Sequence, residues 1–148
     1  MPHTAKNFFT PEQQKEILQA IGAAEHNTSG EIRVHLETSC KGDVLDCAAY
    51  IFKKLGMHKT EKRNGVLIYL SIENRKLAII GDAGINALVP EDFWESTKEL
   101  MVGRFREGKF LEGLTEGIAM AGMQLKKHFP YLAGDVNELS DDLSFGNN

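Results

Sequence analysis

Three polar side chains stand at the ends of predicted strands, where they could hold a metal ion. Glu31 opens an alternating segment, Asn64 precedes an apolar one and Asp82 follows another. Glycines beside each of them keep the local backbone uncrowded. Carboxylate and amide oxygens suit Ca²⁺ or Mg²⁺ and do not suit zinc or copper. These residues therefore predict a site for a hard divalent cation, provided that the fold brings the three segments together.

Chain direction decides whether these segments meet. The segment Glu31 to Glu37 alternates apolar and polar residues, which predicts a strand with one covered face. The segment Gly65 to Ser71 is apolar on both faces and indicates a central strand, parallel to the first because a helix-length connection separates them. The next strand, Lys76 to Gly81, follows so short a turn that it must return antiparallel. The two strand starts and the end of the third then share one sheet edge.

A fourth ligand could come from the acidic pair Glu91-Asp92. We assign this role to Asp92, on the condition that the segment Gly84 to Val89 folds back over the edge. So few carboxylates predict a modest affinity, roughly 10⁻⁵ to 10⁻³ M. In the alternative interpretation, Asp82 belongs to an ordinary turn and the acidic pair favours the positive end of a helix dipole. Both interpretations stay open at this point.

Other groups of polar residues give weaker signals. Asp43 and Asp46 lie near the opposite sheet edge, with Glu37 nearby, and ligand sites of α/β proteins often lie at such edges. Helix capping explains Asp43 more simply, and Asp46 then faces solvent. The five histidines are scattered along the sequence. His35, on a strand face, has no partner that the sequence identifies, so we interpret it as a surface or core residue.

Helices are predicted to cover both faces of this sheet. Thr10-Pro11-Glu12-Gln13 is typical of a capped helix start. The four predicted helices are Pro11 to His26, a second after Asp43 that ends near Gly56, a third from Pro90 to about Glu107, and Lys109 to about His128. The fold class is therefore α/β, an α/β/α sandwich around a small mixed sheet. Residues 1–130 form one predicted domain, and residues 131–148 an acidic, mostly disordered tail. The small residues Gly113 and Gly117 are expected to pack the last helix closely against the sheet.

Composition excludes several classes of partner. The net charge of −4 and the pI near 5.7 leave no broad basic surface, so nucleic acid is not expected. No apolar run reaches the ~20 residues of a membrane span, and the N-terminus lacks a signal-peptide core. We therefore expect a soluble, cytoplasmic protein. Cys40 and Cys47 are too few for a disulfide framework and lack the spacing of a zinc or redox motif, so we expect reduced thiols.

Several motifs in a fixed order resemble the TPM-domain family of thylakoid-lumen, photosystem-repair and receptor-regulator domains. The resemblance covers roughly residues 29–124. It rests on the strand-opening Glu31, on Asn-Gly before the apolar strand, on Arg75 in the hairpin, on Gly81-x-x-Gly84, and on the late run Gly108, Phe110, Gly113, Leu114. It implies an α/β/α sandwich, binding of divalent ions, calcium in particular, and for plant members an acid phosphatase activity. Glu31, Asn64 and Asp82 match polar positions of the family pattern.

The leading functional prediction is a divalent-cation-binding module that acts through a protein partner. One alternative is a metal-dependent acid phosphatase, in which the ion polarises the phosphate and Asp82 or Glu31 assists a water molecule. The sequence does not supply an evident second metal or nucleophile for it. The other alternative is a metal-independent protein–protein adaptor with an exposed apolar patch.

Overall fold

A four-stranded mixed sheet forms the centre of the fold, which a computed structural model describes for residues 4–131 and 143–146. The strands lie in the order β3-β2-β1-β4. The strands are β1 (Glu31–Glu37), β2 (Gly65–Ser71), β3 (Lys76–Gly81) and β4 (Leu143–Phe145). The helices are α1 (Pro11–Glu25), α2 (Val44–Lys54), α3 (Ala83–Asn86), α4 (Phe93–Arg106) and α5 (Phe110–His128), with one 3₁₀ turn at Met57–Lys59.

The strand directions are those that the sequence predicts. β1 and β2 are parallel, and their register pairs Glu31 with Gly65 at one end and Glu37 with Ser71 at the other. β3 pairs with β2 in the antiparallel sense and places Gly81 opposite Val66. The starts of β1 and β2 and the end of β3 therefore lie at one edge of the sheet.

Helices cover both faces, which confirms the predicted α/β/α sandwich. On one face, the apolar side chains of β1 and β2 share a core with α1, α4 and α5, including Ile17, Met101 and Ile118. On the other face, α2 contributes Phe52 to a smaller core that also contains Tyr69. The polar side of β1, predicted to be uncovered, is buried as well. Its residues need polar partners for that reason.

The starts of α1 and α2 follow the predicted local chemistry, whereas α4 begins at Phe93 and not at the predicted Pro90. Thr10 caps α1 in a complete capping box with Gln13. Asp43 caps α2 by accepting a hydrogen bond from the Leu45 N–H, as the simpler interpretation of Asp43 predicted. After α2, Gly56 adopts a φ of 72°, a left-handed conformation that favours glycine.

The small residues of α5 pack against helices, so the prediction that this side packs against the sheet is wrong. A Cβ atom on Gly113 would lie 2.8 Å from the Phe105 ring, and one on Gly117 would meet the Met101 side chain, both on α4. A Cβ on Gly122 would meet Ala24 of α1. These glycines let α4 and α1 approach α5 closely, because a side chain there would overlap the neighbouring helix.

The C-terminal residues 143–146 differ from the predicted disordered tail. Leu143–Phe145 form β4, which pairs in parallel with Val34, His35 and Leu36 of β1. The Gly146 N–H also donates to the Leu36 carbonyl, at 2.8 Å. The exposed edge of β1 offers unpaired backbone groups, and this short apolar segment satisfies them. Residues 132–142 and 147–148 of the predicted tail lie outside the described residues.

The structure bears on two further predictions, which concern the state of the cysteines and membrane-spanning helices. The prediction of reduced thiols is wrong, because Cys40 and Cys47 form a disulfide with a Cα–Cα distance of 6.3 Å. The turn before α2 lies between the two cysteines, and Gly42 in this turn adopts a φ of 95°. Disulfides persist in oxidising compartments, so the cysteines do not support the predicted cytoplasmic location, which stays a prediction. Among the described residues, none of the helices has the length and apolar content to cross a membrane.

Candidate functional site

The predicted sheet edge brings the segments of Glu31, Asn64 and Asp82 together. The Glu31 N–H donates to the Asn64 carbonyl at 3.4 Å, and the Asp82 N–H donates to the Gly65 carbonyl at 2.9 Å. All three side chains are buried, with 3% of Glu31, 1% of Asn64 and 6% of Asp82 exposed. Buried polar groups at a strand edge require specific partners.

Close backbone packing holds the Asp82 end of this edge. Asp82 is the N-cap of α3, and its carboxylate accepts a hydrogen bond from the Ala83 N–H at 2.8 Å. The Gly84 N–H donates to the Arg63 carbonyl at 2.8 Å. A Cβ on Gly84 would lie 2.7 Å from that carbonyl oxygen, so only glycine fits there without a shift. This contact agrees with the alternative interpretation, in which Asp82 belongs to a turn.

Arg63 is the principal partner of Asp82. Its Nε and one terminal nitrogen donate to the two carboxylate oxygens at 2.6 and 2.7 Å. Burial raises the pKa of Asp82, but the hydrogen bonds from Arg63 and the Ala83 N–H outweigh it and hold the pKa below its usual value. The carboxylate is therefore ionised at neutral pH. The Arg63 side chain is 50% exposed, so the guanidinium has room to turn toward solvent.

Asn64 and Asp92 differ in how they relate to this edge. The Asn64 amide nitrogen donates to Ser29 Oγ at 3.4 Å, while its buried Oδ1 has no hydrogen-bond partner among the described residues. Asp92 lies exposed before α4, and its side chain does not cap that helix. Within residues 4–131 and 143–146, no group of three or more His, Cys, Asp or Glu side chains is arranged to hold a metal ion.

The sequence reasoning missed Arg63. This residue directly precedes Asn64, so the chain direction that predicts Asn64 at the edge also predicts a cation beside Asp82. Its φ of 51° is unusual for a residue other than glycine, and such conformations cluster at functional sites. The Arg-Asn-Gly order therefore carries this signal, but a criterion based on oxygen ligands alone does not include an arginine.

His35 is the second residue whose setting the sequence did not predict. It is 3% exposed on β1, and its ring stacks on Tyr69 with centroids 5.7 Å apart. Burial lowers the pKa of His35, Glu37 raises it through a hydrogen bond, and the charges of Arg33 and Lys54 lower it, for a net lowering. Burial also raises the pKa of Tyr69 to about 12. Both rings are therefore neutral at neutral pH.

The free energy of unfolding is expected to fall as pH drops just below 6.5, the ordinary pKa of histidine. Between the lowered pKa of folded His35 and that value, the unfolded chain binds more protons than the folded chain, so acid favours unfolding. Urea unfolding across this range measures the slope. His35→Gln should flatten it, whereas His26→Gln, at an exposed histidine, should keep it. Equal slopes in the wild type and His35→Gln would contradict this assignment.

Comparison with known proteins identifies a family and a similar solved structure. The sequence model of a family described as TPM domain matches residues 4–124. The NMR structure of the BA42 protein from the psychrophilic bacterium Bizionia argentinensis is 46% identical, with a TM-score of 0.86, and the match covers 95% of this chain and 97% of that one. The chain matches none of the curated proteins.

Two more distant NMR structures share the fold. The N-terminal domain of a P. gingivalis protein is 21% identical, with a TM-score of 0.70 over 85% of this chain and 83% of that one. The N-terminal domain of a Corynebacterium glutamicum protein is 11% identical, with a TM-score of 0.62 over 95% and 83%. At such identities the likeness concerns the fold alone.

Proposed function

Because this chain belongs to the TPM-domain family, we propose that it binds a divalent cation, Ca²⁺ or Mg²⁺, at the edge shared by β1, β2 and β3. The ligands are oxygens of Asp82, Asn64 and Glu31, together with backbone carbonyls of the neighbouring segments. An all-oxygen set is the kind that these two ions prefer. Asp92, which is exposed before α4, joins the set only if the segment before that helix moves.

The observation that carries this proposal is the buried Oδ1 of Asn64. An acceptor that is removed from water and left without a hydrogen bond costs about 1–3 kcal/mol. Asn64 is 1% exposed, and its Oδ1 has no partner among the described residues. A hard cation at the edge would satisfy this oxygen and would gain an ionised carboxylate from Asp82.

Arg63 competes with the cation for the same carboxylate. Its guanidinium already neutralises Asp82 through two hydrogen bonds. An incoming ion must displace it, which keeps the affinity modest even though the carboxylate is ionised. Because half of the Arg63 side chain is exposed, this displacement moves one surface side chain and leaves the core unchanged. Arg63 therefore acts as a substitute cation in the absence of the ion.

Removing this competitor should strengthen cation binding. We expect Arg63→Met to bind Ca²⁺ about two- to fivefold more tightly, the range of a partly exposed ion pair, and Asp82→Asn to lose binding. Calcium titration followed by backbone amide shifts measures both, and the amides of Glu31, Asn64 and Gly81 to Gly84 should move together. Arg104→Met, which removes a partly exposed ion pair between α4 and Glu116 of α5, is the matched control. Weaker binding in Arg63→Met, or no shift at this edge in the wild type, contradicts the proposal.

The two alternative functions remain predictions that the same protein samples can separate. A metal-dependent phosphomonoesterase at this edge predicts hydrolysis of an aryl phosphate that Asp82→Asn abolishes. An adaptor without a metal predicts that EDTA, Mg²⁺ and Ca²⁺ leave the melting temperature unchanged, whereas an ion that binds only the native state raises it. A protein partner is compatible with the cation site, because ordered loops at this edge could contact it.

A further inference from the structure

A cavity of about 710 Å³ lies beside the C-terminal half of β1, away from the proposed cation site. Its wall includes His35, Glu37 and Tyr69 from the sheet and Ser144 from β4. The carboxyl ends of parallel strands are where α/β proteins commonly bind ligands. The proposed cation site uses none of these residues, so they are available for a separate role.

Three of these side chains form a continuous hydrogen-bond chain. Ser144 Oγ lies 2.8 Å from His35 Nδ1, and His35 Nε2 lies 3.1 Å from Glu37 Oε1. A carboxylate only accepts hydrogen bonds, so Nε2 carries the ring proton. Nδ1 then has a free lone pair, which accepts the hydrogen bond from the Ser144 hydroxyl. The two hydrogen-bond partners of His35 thus favour the tautomer with an unprotonated Nδ1, which is the form that a general base needs.

Neighbouring residues fix the orientation of these three hydrogen-bonded side chains. Tyr69 stacks on the His35 ring with 16° between the planes. A Cβ on Gly146 would overlap the Glu37 carboxylate, which shows that the end of β4 packs against that carboxylate. Burial keeps the pKa of His35 below its ordinary value, so the ring is unprotonated at neutral pH. Fixed orientation and a neutral ring are two of the requirements for proton transfer from a serine.

We propose that Ser144, His35 and Glu37 form a nucleophilic site that hydrolyses small carboxylic esters bound in this cavity. Ser144 is the nucleophile and His35 is the general base, both catalytic residues that contact the reacting atoms. Glu37 is a positioning residue, because it acts only through His35. A nucleophile, a base within hydrogen-bond reach and a third group that orients the base are the general signature of this chemistry.

The reaction has two balanced steps. Ser144 Oγ bonds to the carbonyl carbon as its proton passes to His35 Nδ1, and the bond to the leaving alcohol breaks as Nδ1 returns that proton to it. Water then attacks the acyl-serine and gives a proton to Nδ1, and the bond to Oγ breaks as Oγ regains its proton. The products are a carboxylic acid and an alcohol, and the serine is restored.

The cavity lining indicates the substrate class. Much of it is apolar, including Ile51, Leu55 and Phe145, which suits a short apolar acyl or alkyl group. Lys54 lines the same cavity, and its positive charge acts on His35. A cation in this position would stabilise the oxyanion that develops during attack. The lining therefore points to small esters with an apolar acyl or alkyl group as substrates of this site.

Covalent labelling of the 148-residue chain tests the nucleophile directly. Diisopropyl fluorophosphate, which forms an Oγ–phosphorus bond as fluoride leaves, should label the peptide that carries Ser144, as mass spectrometry detects. The label should be absent in Ser144→Ala. It should be unchanged in Ser96→Ala, which removes an exposed serine on α4, outside this cavity. An unlabelled wild-type chain, or equal labelling in Ser144→Ala, would overturn the proposal.

Glu37→Gln separates catalysis from a structural role of β4, because it keeps Ser144 and the shape of the side chain that packs against the end of β4, while it changes the group that orients the base. We expect hydrolysis of p-nitrophenyl acetate to fall about 10²-fold or more, as in other triads that lose the correct tautomer. EDTA should have no effect, which distinguishes this site from a metal-dependent hydrolase at the other edge. A wild-type rate equal to that of Glu37→Gln or of Ser144→Ala would show that the hydrogen bonds serve only to hold β4.

Discussion

Replacing Gly84 by alanine is expected to lower the free energy of unfolding by about 1–3 kcal/mol, the usual range for overpacking. The added methyl group would lie 2.7 Å from the Arg63 carbonyl oxygen and closer still to the Lys62 carbonyl oxygen. Both neighbours are backbone atoms, so no side-chain rotation relieves the overlap. The segment before β2 and the start of α3 must move apart, which also weakens the bond between the Gly84 N–H and the Arg63 carbonyl. Chemical denaturation measures the loss.

Gly103→Ala is the matched control for Gly84→Ala. Gly103 also lies within a helix, α4, but nothing lies within 4 Å of a Cβ at that position. Alanine there should stabilise the protein by about 0.5–1 kcal/mol, because glycine loses more backbone entropy on folding. If Gly84→Ala were as stable as Gly103→Ala, α3 would not pack against the 62–63 backbone as described. Weaker calcium binding in Gly84→Ala would show that this packing also holds Asp82 in position for the cation.

The fold could be predicted from local pattern and chain direction. The alternation in β1, the apolar run of β2 and the short connection to β3 leave one arrangement, since the four residues 72–75 cannot carry a parallel crossover. The convergence of Glu31, Asn64 and Asp82 at one edge follows from the same geometry. These features depend on residues close together in the sequence or on the spacing of apolar residues, and a single sequence shows both.

The features that escaped prediction depend on contacts that hydrophobic period and local sequence motifs do not show. The pairing of β4 with β1 joins segments about a hundred positions apart, and the pattern of Leu143 to Phe145 is too short to predict it. The disulfide depends on the turn before α2, which brings Cys40 beside Cys47. Arg63 was missed for a different reason, because a search for oxygen ligands omits the cation that already pairs with Asp82.

The contact between α4 and α5 supports a prediction with a still larger effect. Met101 of α4 is fully buried against Gly117 of α5. Met101→Ala should lower the free energy of unfolding by about 2–5 kcal/mol, because it removes a buried side chain and leaves a cavity. Gly117→Ala alone should also destabilise the protein, since its methyl group would lie 2.7 Å from Met101 Cε and 3.0 Å from Cγ.

In the Met101→Ala background, the effect of Gly117→Ala should reverse in sign. The methyl group then enters space that the methionine has left, and alanine in place of glycine favours the helix by about 1 kcal/mol. A double-mutant cycle by chemical denaturation should give a coupling energy of about 0.5–3 kcal/mol, as for residues in direct contact. Gly22→Ala, at a position on α1 where a Cβ meets nothing within 4 Å, should instead add independently to Met101→Ala. Additive effects at 101 and 117 would mean that the two helices do not approach through this glycine. The close crossing would then not explain the Gly113-x-x-x-Gly117 spacing.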